Sequence, residues 1–256
     1  MQVSDCRLSR RLLLLSTAGL ASTLAPTGAT ARTIEGKLPG TPNAGAPPPA
    51  LAPGPWVFFT PEEGTLMEAV ADRLIPPDPP GTSDAIPGGK DAGCAVFVDR
   101  QLAGPYGRAA GLYMRPPFME GTKEQGDQGA ATPAQRFRAG LAALDAHTRA
   151  ANLGKGFHEL PADAQDTMLK GMEAGAVKLD GINTPKFLEL MVTTTKQGFL
   201  ADPAYGGNRD MAGWRMIGFP GARYDYSDWI GRHNERYPLP PVGIASGARS
   251  TQPGRG

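Results

Sequence analysis

Residues 56–76, WVFFTPEEGTLMEAVADRLIP, decide the fold of this chain. Thr60 is a typical helix N-cap residue, Pro61 suits the first helical position, and Glu63 completes a capping box with Thr60. Apolar residues then recur at three- and four-residue spacing until a pair of prolines ends the pattern. The stretch therefore predicts an amphipathic helix from Pro61 to about Ile75.

The same start signal recurs twice further along the chain, at Thr132-Pro133 and at Thr184-Pro185, each time before an apolar stripe of helical spacing. Shorter helices are predicted at about Asp91–Leu102 and Ala162–Ala174. No stretch of any length alternates in the manner of a strand. Because the chain holds 34 glycines and 26 prolines, its connections should be long. We predict an all-α domain of about five helices, with long Gly/Pro-rich loops and extended N- and C-terminal arms.

The first 31 residues read as a twin-arginine export signal. Arg10 and Arg11 precede a short apolar run, and Ala29-Thr30-Ala31 has the small-x-small pattern of a cleavage site. That run is too short to span a bilayer. The export signal predicts a periplasmic location. Residues 32–55 form a Pro/Gly/Ala-rich arm, for which disorder and docking on a partner are equally open. The export route carries folded proteins, commonly loaded with a cofactor, yet no cofactor motif follows.

Composition excludes several classes of function. A formal net charge of +1 with scattered charges offers no basic footprint for nucleic acid or anionic lipid. Three histidines at 147, 158 and 233 lack the spacing that places two ligands on one helical face, so no metal site is predicted. Cys94 is the only cysteine after the leader, and its apolar neighbours favour burial over reactivity.

Aromatic residues, proline and glycine are concentrated from residue 201 onward, without helical or strand period. A Gly-rich loop at 205–210 follows a helix and not a strand, which argues against a dinucleotide cradle. The aromatic side chains either fill gaps between helices or form a partner interface, where Trp, Tyr and Arg are enriched. The predicted interface residues are Tyr205, Gly206, Gly207, Asn208, Trp214, Tyr224, Tyr226 and Trp229.

Taken together, these segments resemble the gluconate 2-dehydrogenase subunit 3 family, the small subunits of bacterial membrane-bound flavin-dependent sugar and sugar-acid dehydrogenases. The resemblance covers about residues 56–241. It is carried by residues 59–63, 69–76, 88–91, 96–102, 113–118, 202–208 and 214–221 in this order. The helical domain is accordingly placed at 56–241 and a flexible tail at 242–256.

The resemblance implies a non-catalytic accessory subunit with no cofactor of its own. Its expected partners are a large FAD-binding subunit of the glucose-methanol-choline oxidoreductase type and a multihaem cytochrome c that holds the complex at the inner membrane. The small subunit would supply the export signal and help the flavoprotein to mature. A disulfide to the large subunit would have to use Cys94. A cell-envelope scaffold unrelated to redox chemistry and a free-standing periplasmic enzyme remain as alternatives.

Overall fold

A computed structural model describes residues 54–244, except for residues 120, 127–128 and 223–225. The predicted leader with Arg10, Arg11, Ala29 and Ala31, most of the following arm, Tyr224 and the end of the tail therefore lie outside the described residues. The division into leader, arm, domain and tail stays a prediction.

Six α-helices occur in the described part of the chain. They are α1 (Pro61–Leu74), α2 (Cys94–Ala103), α3 (Pro133–Ala151), α4 (Ala162–Glu173), α5 (Thr184–Leu200) and α6 (Ala212–Ile217). Short 3-10 turns lie between them and after them, at 123–125, 157–159, 203–205, 209–211 and 227–229. Within the described ranges there is no strand, only an isolated bridge between Gly221 and Val242. The all-α prediction is confirmed.

Local capping chemistry sets most of the helix starts. The capping boxes predicted at Thr60 and Thr132 are both formed. The third start differs by one residue, because the side chain of Asn183 accepts from Lys186 N and takes the N-cap position assigned to Thr184. The second helix starts at Cys94 and not at Asp91, since Gly93 is left-handed, with φ of 78°, and ends a series of turns.

Helix α5 lies at the centre of the domain and packs against each of the other five helices. The core between them is apolar, and Met67, Phe137, Phe157 and Met191 are fully buried. Phe137 on α3 meets Phe187 on α5 edge to face, with 6.1 Å between ring centroids. None of the described helices is long and apolar enough to cross a membrane.

Candidate partner-binding site

The loop after α5 is held in place by its own polar side chains. Asp202 caps the 3-10 turn at Pro203–Tyr205, because its Oδ1 accepts from Ala204 N at 2.9 Å. Its Oδ2 accepts from Ile244 N at 2.6 Å. One buried carboxylate thus shapes the loop and ties the C-terminal segment to it.

Gly207 and Asn208 continue this internal construction. A Cβ at Gly207 would lie 2.2 Å from the carbonyl oxygen of Gly198 on α5, so only glycine allows this approach. Asn208 is fully buried and left-handed, with φ of 48°. Its Nδ2 donates to Ala201 O at 2.7 Å, and its Oδ1 accepts from Gly213 N at 2.8 Å. The side chain of Asn208 is therefore occupied within the chain.

Trp214 on α6 fills the gap beside the end of α5. Its side chain is 5% exposed, and its Nε1 donates to Leu200 O at 2.8 Å. The ring of Phe219 stands edge to face against it, with 5.1 Å between centroids. Of the two readings left open by the sequence, packing between helices describes the environment of Trp214.

Tyr205 has the opposite environment. Its side chain is 51% exposed, whereas Gly206, Gly207 and Asn208, which follow it, are all buried. It borders an open groove of about 770 Å³ between α2 and α5. The groove is lined by residues that include Phe97, Gln101, Lys196, Leu200, Asp202 and Tyr205.

Exposed apolar side chains continue around this end of α5. We define the Tyr205 surface as Leu200, Tyr205, Phe219 and Ile244, which are all exposed. Hydrogen bonds and ring contacts through Asp202 and Trp214 hold the segments that carry these residues together. A cluster of exposed large apolar groups beside a groove is typical of a protein-binding surface.

Two further predicted interface residues, Tyr226 and Trp229, lie in a separate aromatic cluster. Tyr226 and Trp229 are half-buried, and both rings meet Tyr237 edge to face, at 6.1 Å and 5.0 Å between centroids. The Tyr226 hydroxyl donates to Gly221 O, and the Arg232 guanidinium lies 4.6 Å from the centre of the Trp229 ring. These contacts give the segment internal order. Contact with a partner stays a prediction.

Cys94 is buried at the start of α2, as predicted. Burial is the main cause that raises the pKa of its thiol to about 12, so it stays protonated at neutral pH. Among the residues that the structure describes, no group of three or more His, Cys, Asp or Glu side chains could hold a metal ion.

One buried carboxylate was missed by the sequence reasoning. Asp99 on α2 is 1% exposed and accepts backbone N–H groups from Val57, Phe58 and Phe59 at 2.8–3.2 Å. It thereby fixes the point at which the N-terminal arm enters the helical domain. The available signal was an acidic residue directly after the apolar run Ala95–Val98.

The fold and its surfaces define a helical domain whose candidate site suits a protein partner. The family model described as gluconate 2-dehydrogenase subunit 3 matches residues 61–221. The chain belongs to this family, as its resemblance indicated. A subunit 3 family implies association with other dehydrogenase subunits. No curated protein and no solved structure shows significant similarity to it.

Proposed function

We propose that this chain is the non-catalytic small subunit of a periplasmic FAD-dependent dehydrogenase that oxidises a sugar or sugar acid of the gluconate type. The match of the family model to residues 61–221 carries the proposal. The large subunit binds FAD and performs the oxidation, and a multihaem cytochrome c receives the electrons and keeps the complex at the inner membrane.

The paired arginines at 10 and 11 support a second part of the proposal, export of the assembled flavoprotein. A flavin subunit without a leader of its own would be carried across the membrane while bound to this chain. The Asp99 carboxylate suits this role, because it accepts hydrogen bonds from Val57, Phe58 and Phe59 and so holds the residues that follow the arm against the folded domain.

The Tyr205 surface is the contact that we assign to the large subunit. Half of the Tyr205 side chain is exposed beside an open groove, and this aromatic group offers a large contact area with little entropy to lose. The buried neighbours at 206–208 hold its backbone in one conformation. Such preorganisation lowers the cost of binding.

Co-expression with the products of the neighbouring genes tests the function. An affinity pull-down on this chain should yield a yellow complex with a flavin absorbance spectrum. Replacing Arg10 and Arg11 together by lysine should leave the complex intact and keep the flavoprotein out of the periplasm. A colourless chain that purifies alone would contradict the proposal. Turnover by that lone chain would favour a free-standing enzyme.

Tyr205→Ala tests the assigned contact, and Leu153→Ala is its matched control. Leu153 is 101% exposed and lies in the connection after α3. We expect Tyr205→Ala to raise the Kd for the large subunit by about tenfold, the effect typical of an aromatic anchor. The control should bind like the wild type. Equal binding by both variants would remove the Tyr205 surface from the proposal.

A further inference from the structure

The long connection between α2 and α3 exposes a second group of large apolar side chains. We define the Tyr113 loop as residues 104–119, GPYGRAAGLYMRPPFM. Tyr113 is 81% exposed and Met119 75% exposed, and Leu112, Phe118 and Tyr106 are exposed as well. Residues of this kind in water carry a cost in free energy that burial against another molecule would remove.

The base of the Tyr113 loop is fixed to the helical domain. Gly107 N donates to Gln101 O at 3.2 Å, and Ala134 N at the start of α3 donates to Gly107 O at 3.1 Å. A Cβ at Gly107 would lie 1.8 Å from Leu102 O, so the chain passes α2 at a distance that only glycine permits. The exposed groups are thus presented from a defined position.

The tip of the loop is stiffened by its sequence. Pro116 and Pro117 have fixed φ angles, which removes conformations that the chain would otherwise lose on binding. No backbone hydrogen bond to another described residue holds residues 113–119, so their C=O groups, and the N–H groups of the residues other than proline, are open to a partner.

The composition of the Tyr113 loop is that of a protein interface. Tyr, Phe, Met and Arg, which are enriched in such interfaces, supply seven of its residues, whereas the depleted Lys, Asp, Glu and Ser are absent. Arg108 and Arg115 are its only charges and both are exposed. A complementary surface is therefore apolar with acidic groups around it. Adsorption to anionic lipid generally uses clusters of four to eight Lys or Arg residues, so a protein partner is favoured.

We infer that the Tyr113 loop is a second docking element, which binds an apolar, acid-rimmed surface on the same large subunit to which the Tyr205 surface is assigned. This inference rests on the proposed function and goes beyond it by naming a second contact and its chemistry. Two separate contacts of one small subunit act with a high effective concentration, since binding of one brings the other close to its site.

Two variants of the full chain test the inference in co-expression with the flavin-containing large subunit and the cytochrome. Tyr113→Ser combined with Met119→Ser removes apolar contact area, and Arg115→Glu reverses the charge. Their matched controls are Leu153→Ser and Lys155→Glu, which change exposed residues of the same kinds elsewhere. Unchanged circular dichroism and Tm would confirm that every variant is folded.

We expect each loop variant to raise the Kd for the large subunit by about tenfold or more, and Arg115→Glu to lose more affinity at low salt than at high salt. The controls should bind like the wild type. Wild-type affinity in both loop variants overturns the inference while the proposed function stands. Failure of the wild-type chain to bind any dehydrogenase subunit overturns both.

A vesicle experiment separates the membrane alternative. Wild-type chain is sedimented with vesicles of phosphatidylglycerol and phosphatidylethanolamine. No sedimentation, together with the loss of complex described above, supports the protein partner. Sedimentation that Tyr113→Ser with Met119→Ser abolishes, with complex formation unchanged, assigns the loop to the membrane and overturns the inference.

Discussion

Substitution of Asp99 tests whether the N-terminal arm is held by a buried carboxylate. Oδ1 accepts from Phe58 N at 2.8 Å and from Phe59 N at 2.9 Å, and Oδ2 accepts from Val57 N at 2.9 Å. Phe59 belongs to the apolar core. Loss of the carboxylate therefore removes these hydrogen bonds and also loosens the packing of the Phe59 side chain in the core.

The two substitutions at Asp99 differ in what they remove. Asp99→Asn keeps Oδ1 for Phe58 and Phe59, but it places an NH₂ group against Val57 N, which also donates. The loss of one charge-assisted bond to a partly exposed N–H should cost about 2 kcal/mol. Asp99→Ala leaves all three N–H groups without this acceptor, and we expect a loss of about 4 kcal/mol.

Urea unfolding followed by tryptophan fluorescence measures these losses. Trp56 is a useful reporter, because its ring meets Phe59 edge to face at 5.9 Å between centroids. With a denaturant slope of about 2 kcal/mol per molar urea, Asp99→Ala should lower the midpoint by about 2 M. Asp180→Asn, at an exposed carboxylate, is the control. A midpoint for Asp99→Ala equal to that of the control would show that the carboxylate does not hold the N-terminal arm.

Three further substitutions or treatments have defined outcomes. Gly140→Ala should lower the free energy of unfolding by about 1–3 kcal/mol in urea titrations despite the better helix propensity of alanine, because its Cβ would lie 2.3 Å from the Phe187 ring. The hydrogen bond from Arg73 lowers the pKa of Asp166. The ionised carboxylate therefore stabilises the folded chain at neutral pH, and this stabilisation is lost as the pH falls below about 4. In Asp166→Asn, the free energy of unfolding should depend less on pH in this acid range. Cys94 should resist maleimide labelling at pH 8 in the folded chain and react fully in urea, because only about one thiol in ten thousand is ionised at a pKa of about 12; rapid labelling of the folded chain would show that the thiol is accessible.

The helices that sequence patterns predicted are those whose signals are local. Thr60 and Thr132 lie three residues before Glu63 and Gln135, so four consecutive residues are enough to predict each capping box. Helix α6 was not predicted, because six residues make fewer than two turns and show no period. Met211, the left-handed residue directly before it, is not of a type that indicates a turn.

Contacts between distant parts of the chain could not be predicted in the same way. Asp99 contacts Val57 although 42 positions separate them in the sequence, and no pattern in either segment predicts this contact. The position of Trp214 had the same difficulty, since an aromatic side chain favours a core and an interface equally. Burial of Cys94 was predictable because its immediate neighbours are apolar and small.

The structure separates residues that can test binding from residues that can test only folding. In the segment 202–208, Tyr205 alone is exposed, and the other residues shape the loop or pack against α5. Gly207→Ala would force the loop away from Gly198. If this variant failed to bind the partner, the failure would therefore not show that Gly207 contacts that partner. Tyr205→Ala leaves the buried contacts of the loop unchanged. A loss of affinity in this variant, with Tm unchanged, is therefore evidence for a contact, and the same reasoning selects Tyr113 and not Gly107 in the second loop.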